Sequence, residues 1–115
     1  MQSDNTKLKA WKYLRNGESP YRNKKYKVGK IYIENNFDTD EQKECSSGLN
    51  VATLSWCLKD CKDANEFIEV EFFVRDIIAI PFNTDGKFRV KRFKVLRQVN
   101  RVGAYREIIK AIRNN

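Results

Sequence analysis

Three cysteines and no histidine set the limits on what this chain could do as a catalyst. Histidine is the usual general base near neutral pH, the commonest metal ligand and the activator of serine and cysteine nucleophiles. Without it, proton transfer falls to carboxylates, Lys, Tyr or Cys, and an enzyme becomes the least favoured class. Cys57 and Cys61 are four residues apart and share a face if they lie on a helix. A structural zinc site takes four Cys or His ligands, and Cys45 brings the total only to three. Neither a metal nor a cofactor is expected. An odd count without framework spacing predicts reduced thiols in an intracellular protein. Lys59 and Lys62 are near the cysteines in sequence, but nothing pairs them with a sulfur to lower its pKa. Trp56, Cys57 and Cys61 therefore read as core-facing helix residues.

The most site-like stretch runs from Cys45 to Thr53, where Ser46, Ser47 and Gly48 give way to apolar Leu49 and Val51. As a ligand turn, Gly48 would let backbone approach a phosphate, with Asn50, Thr53 and a following helix start supplying polar groups. The competing reading is a tight turn that needs glycine, with Leu49 and Val51 in the core. The spacing of a phosphate-binding loop is missing.

Charge is distributed in blocks. Residues 1–33 set nine Lys and Arg against Asp4 and Glu18; residues 34–76 set four against eleven acids; residues 77–115 set ten against Asp85 and Glu107. The net charge of +8 and its asymmetry point to a charged macromolecular partner. Lys12, Lys24, Lys25, Lys27 and Lys30 interleave with Trp11, Tyr13, Tyr21 and Tyr26, a pattern able to grip phosphates and stack bases. Arg89, Lys91, Arg92 and Lys94 are expected to face outward together and extend this basic patch. The acidic loop, with Phe37, Asp38, Asp40, Glu41 and Glu44, offers a second interface that would imitate phosphates on a basic groove. Each segment also has an ordinary reading, as a solvated charged face or loop.

These residues need a scaffold. The length fits one domain, drawn as a partly ordered segment 1–10 and a single domain 11–115. Alternation predicts strands at Leu8–Leu14, Ile31–Ile33, Glu66–Val74, Ile77–Ile80 and Lys87–Gln98. The last has a phase break, because Phe88 and Val90 are out of step with Phe93 and Val95; an extra residue near Lys91-Arg92, a β-bulge, repairs it. Asp85-Gly86 signals a hairpin turn. Thr53 or Ser55 caps a short helix. Asn100 caps a second, running to about Arg113, whose Tyr105, Ile108, Ile109 and Ile112 should pack on the sheet. The expected class is α+β: an antiparallel sheet of about five strands, one short helix and a C-terminal amphipathic helix. No apolar run approaches the roughly 20 residues of a membrane span, and Met1–Lys9 has no signal-peptide core.

Several pieces in order resemble a known domain: Tyr13-Leu14-Arg15, Val28-Gly29-Lys30, Cys45-Ser46-x-Gly48-Leu49-Asn50-Val51, Val70 through Pro81 with its Asp76-Ile77-Ile78-x-Ile80-Pro81, and Lys87 through Leu96. From about Trp11 to Val99 the chain is similar to the C-terminal domain of the rIIB family of T-even phages. The resemblance implies phage origin, action in the cytoplasm of an infected bacterium, and a part in phage–host conflict; it brings no catalytic residues. Asn50 stands where the family pattern has His, and the relatives' large N-terminal regions are missing here. The expectation is a non-enzymatic protein that binds and inhibits a host protein or nucleoprotein of antiviral defence, in the manner of an anti-CRISPR protein. The alternative is an RNA- or single-stranded-DNA-binding module using the basic strand face.

Overall fold

The computed structural model describes residues 6–19, 24–35, 49–80 and 86–114. It is an α+β fold. Seven strands form one antiparallel sheet: β1 (Lys7–Leu14), β2 (Ile31–Ile33), β3 (Leu49–Ala52), β4 (Glu66–Phe73), β5 (Ile77–Ala79), β6 (Lys87–Val90) and β7 (Arg92–Asn100). Helix α1 (Leu54–Asp60) lies between β3 and β4, and helix α2 (Arg101–Arg113) follows β7. No helix among the described residues is long and apolar enough to cross a membrane.

The strand count exceeds the expected five for two reasons. Leu49–Ala52, read as part of a turn, is a strand paired with β6. The single strand expected over Lys87–Gln98 breaks at Lys91 into β6 and β7. The boundary drawn after residue 10 also falls inside β1, whose Lys7–Ala10 pair with β4.

The ladder order is β2-β7-β4-β1-β3-β6-β5. β6 and β7 are joined by Lys91 alone, yet β4, β1 and β3 lie between them. On a flat sheet those four steps would separate them by about 19 Å, whereas Val90 and Arg92, flanking one residue, can be no more than about 7 Å apart. The sheet must therefore curl into a barrel with the Lys91 corner as its seam. Backbone bonds pin that corner: Lys91 N–H donates to Asp76 O at 2.8 Å, and Lys91 O accepts from Glu34 N at 2.9 Å. A second irregularity lies between β4 and β7, where Glu69 pairs with Arg97 but Val70 pairs with Val95.

Alternation sorts the strand residues onto two faces. Ala10, Leu14, Leu49, Val51, Ile68, Val70, Phe72, Val90, Phe93 and Val95 are buried inside the barrel, with Tyr26 closing one part of it. The phase break was thus read correctly: Val90, Phe93 and Val95 all reach this core, and half-buried Phe88 packs against it. Trp11, Tyr13 and Phe67 point the other way and form a second core with Leu54, Cys57, Leu58 and Ala104 from the helices.

Side chains fix the helices in place. Thr53 caps α1, its hydroxyl accepting from Trp56 N, and Asn100 caps α2 by accepting from Gly103 N at 2.8 Å. Arg101 donates to Cys61 O and Ala64 O and lies 5.2 Å from the Phe67 ring, which ties the start of α2 to the chain leaving α1. One expectation fails for α2. Ala104 is its buried residue and Ile108 is half-buried, but Tyr105, Ile109 and Ile112 are exposed rather than packed on the sheet.

Candidate nucleic-acid interface

The outer sheet face is a grid of cross-strand rows, and the helices cover only half of it. The covered rows are Tyr13–Phe67–Val99 and Trp11–Glu69–Arg97. Arg97 binds Glu69 at 2.8 Å and also Glu107 of α2, and lies 5.3 Å from the Trp11 ring. These contacts hold Arg97 charged, with its pKa raised, first by Glu107 and then by Glu69. Arg97 in turn holds the Glu107 carboxyl below its usual range.

Among the described residues, the next two rows are left open by the helices. One runs Lys9–Glu71–Lys94–Ile31 and the other starts Lys7–Phe73. Arg92, paired with Ile33, extends the second row, its guanidinium 5.7 Å from the Phe73 ring. Arg75, from the 3-10 turn Val74–Asp76 that follows β4, comes closest to that ring at 4.1 Å, and Lys7 lies at 5.7 Å. Three cations (Lys7, Arg75 and Arg92) thus stand around the half-buried Phe73 and two more (Lys9 and Lys94) flank Glu71 in the adjoining row, Glu71 being the single acid of these rows among the described residues. Lys7 contacts Glu71 at 3.7 Å. From β1 to β2 the open face is about 14 Å wide, and exposed Ile31 and Ile33 form one edge.

This grid overlaps the expected basic patch only in part. Arg92 and Lys94 contribute, and exposed Lys91 sits beside them at the corner. Arg89 does not: it was expected to face outward and is 0 % exposed. Its strand β6 lies between β3 and β5, with Arg89 paired to Asn50 and Ala79, so it has strand neighbours on both sides and is not on the open rows formed by β1, β4, β7 and β2. Lys24 is applied to the aromatic cluster of Tyr26, Tyr32 and Phe93, 5.7 and 5.6 Å from the two tyrosine rings. Lys25 pairs with Glu18 through the backbone in an isolated antiparallel β-bridge, and the Lys27 N–H donates to the Tyr32 hydroxyl at 2.7 Å. Lys12 donates to Asn50 O at 3.0 Å. Trp11, Tyr13 and Tyr26 are buried, so they do not offer open stacking faces. Lys7, Lys9 and Arg75 were missed, although the alternation Lys7-x-Lys9-x-Trp11 places both lysines on the face of Trp11.

Of the expected ligand turn, Asn50 and Thr53 are among the described residues. Asn50 is a strand residue of β3. Thr53 is spent on capping α1 and donates its N–H to Gly86 O at 2.8 Å. Gly48 and the whole acidic set, Phe37, Asp38, Asp40, Glu41 and Glu44, lie outside the described residues, as do Tyr21, Cys45 and the expected turn residue Asp85. Cys57 is buried, which pushes its thiol up to about 12 and keeps it protonated at neutral pH. Cys61 is half-buried and accepts from Arg15 at 3.6 Å.

Comparison with protein-family models, with curated proteins and with solved structures finds no match to this chain.

Proposed function

We propose that this chain is a non-enzymatic binding module for single-stranded nucleic acid, RNA or DNA, which lies across the open rows of the sheet. The observation that carries the reading is the grid of Lys7, Lys9, Arg75, Arg92 and Lys94 around Phe73 and Glu71. Lysines and arginines neutralise phosphates and release counterions. Arg75 over the Phe73 ring presents a delocalised plane on which a base can stack, and such stacking tolerates any sequence. Ile31 and Ile33 supply apolar contact for sugar and base edges. The lack of histidine supports a binding role over a catalytic one. In the setting that the rIIB resemblance suggests, an infected bacterial cytoplasm, the module would act on RNA or single-stranded DNA contested between phage and a host defence complex.

The test is fluorescence anisotropy with labelled oligouridylate and oligothymidylate over a salt series. With at most five phosphates neutralised, the slope of log K against log salt should not exceed about −3.5, roughly a hundredfold loss between about 50 and 200 mM. Charge reversal at Lys9, Arg92 and Lys94 together should abolish binding, and reversal at Lys24 and Lys25 should leave most of it. Salt-insensitive binding, or equal loss from both sets, would sink the proposal.

A further inference from the structure

Helix α2 carries more apolar surface than the sheet covers. Ala104 and Ile108 face the second core. Beside them run Val102, Tyr105, Ile109 and Ile112, exposed by 58, 51, 50 and 66 %. Their 3-4-3 spacing is the a/d repeat by which one helix receives another. Along the far side of the stripe stand Arg106, Lys110 and Arg113, all exposed. An open depression of about 430 Å³, lined by Arg106, Ile109, Lys110, Arg113 and Asn114, lies where stripe and flank meet. The stripe is about 15 Å long and belongs to the helix over the closed rows, so it is separate from the open grid.

We propose that this stripe docks an amphipathic helix of a partner protein, whose own apolar seam is bordered by Asp and Glu. Charge selects this occupant. With Val102 and Ile109 at a positions, Arg106 and Arg113 fall at e and Arg101 at g. Arg101 is already held on Cys61 O and Ala64 O, and no acid stands at e or g, so a parallel copy would offer nothing to pair with Arg106 and Arg113, and an antiparallel copy would set Arg106 against Arg113. Neither arrangement supplies the complementary charges that coiled coils place there. A lipid surface fits less well, because an interfacial helix lies with its whole apolar face in the membrane plane, and here one side of the stripe runs into the body of the domain. A nucleic acid would meet the flank but leave four apolar side chains in water.

The probe is a synthetic three-heptad peptide with Leu at a and d and Glu at e and g, titrated by calorimetry into the full chain at low salt. The expected result is saturable one-to-one binding. Ile109→Glu should weaken it at least tenfold, as should the double variant Arg106→Glu/Arg113→Glu, which a Lys-flanked peptide should rescue. Circular dichroism of both variants checks that they remain folded, and oligonucleotide binding should persist in Ile109→Glu. Three results would overturn the proposal: a peptide that fails to bind or is indifferent to these changes, a chain that sediments as a dimer which Ile109→Glu makes monomeric, or capture by phosphatidylserine vesicles through Ile109 without competition from the peptide.

Discussion

The Arg75 guanidinium sits 4.1 Å from the centre of the Phe73 ring, where β4 ends on the open sheet face. A cation at that distance is attracted by the ring's negative face, which holds the guanidinium over Phe73. If bases stack there, Phe73→Ala and Arg75→Ala should each weaken oligonucleotide binding by about 1–3 kcal/mol. The Arg75 variant should also lower the salt slope by about 0.7, since it removes a phosphate contact, and the Phe73 variant should not. Anisotropy titrations at several salt concentrations separate the two.

Arg89 and Lys91 are two residues apart and should respond in opposite ways. Truncating fully buried Arg89 to Ala should cost about 3 kcal/mol of stability, because it empties a closed-packed site. Lys91→Ala, at an exposed corner, should stay within about 0.5 kcal/mol. Urea denaturation measures both, and equal losses would contradict the burial of Arg89.

Gly86 and Gly29 both have positive φ, +85° and +89°. An L-residue pays about 1–2 kcal/mol in that region. At Gly29 this conformational term is the whole cost, because a Cβ meets nothing within 4 Å. At Gly86 the Cβ would lie 2.8 Å from Thr53 Oγ1, the atom that caps α1. Gly86→Ala should therefore lower Tm clearly more than Gly29→Ala in matched melts.

Burial raises the Cys57 thiol from 9.0 to about 12. A group whose folded pKa is raised contributes stability that is complete below its unfolded pKa and is lost as pH rises through the folded value. Between pH 9 and about 12 the wild type should therefore lose up to about 1.4 kcal/mol more per pH unit than Cys57→Ala. Denaturant midpoints across that window test the difference. Native-state alkylation at pH 8 should label half-buried Cys61 well before Cys57.

Glu107 has the opposite sign. Arg97 holds its carboxyl low, so its contribution is present above the unfolded glutamate value of about 4.3 and is lost as pH falls through the lower folded value. Glu107→Gln should flatten the acid limb of the stability profile. At neutral pH it should cost under about 1 kcal/mol, as befits a partly exposed ion pair.

The elements were legible where period and punctuation agreed. Ile68, Val70 and Phe72 alternate cleanly, and Asn100 stands directly before α2. Leu49–Ala52 escaped because four residues after a glycine carry too little alternation to outweigh a turn signal. The corner was seen as a phase error between Val90 and Phe93. Whether an extra residue bulges within one ladder or moves the chain to another depends on pairing partners remote in sequence. Arg89 shows the consequence for the site, since its neighbours belong to β3 and β5. The α2 stripe was misread for a related reason: helical spacing shows that Ile109 and Ile112 share a face, but not whether anything covers it.

The corner at Lys91 also bears on how the molecule comes apart. Residues on one side of it hold β3 and β5, and residues on the other hold β4 and β2. Neither set of strands can separate from the other while residues 87–100 keep their conformation. The barrel should therefore unfold in a single cooperative step, without a half-open intermediate, and amide exchange should protect its two sides to the same free energy. Because the closing pairs join segments far apart in the chain, such as Trp11 with Glu69, refolding should fall in the slow, millisecond-to-second range of topologies rich in distant contacts.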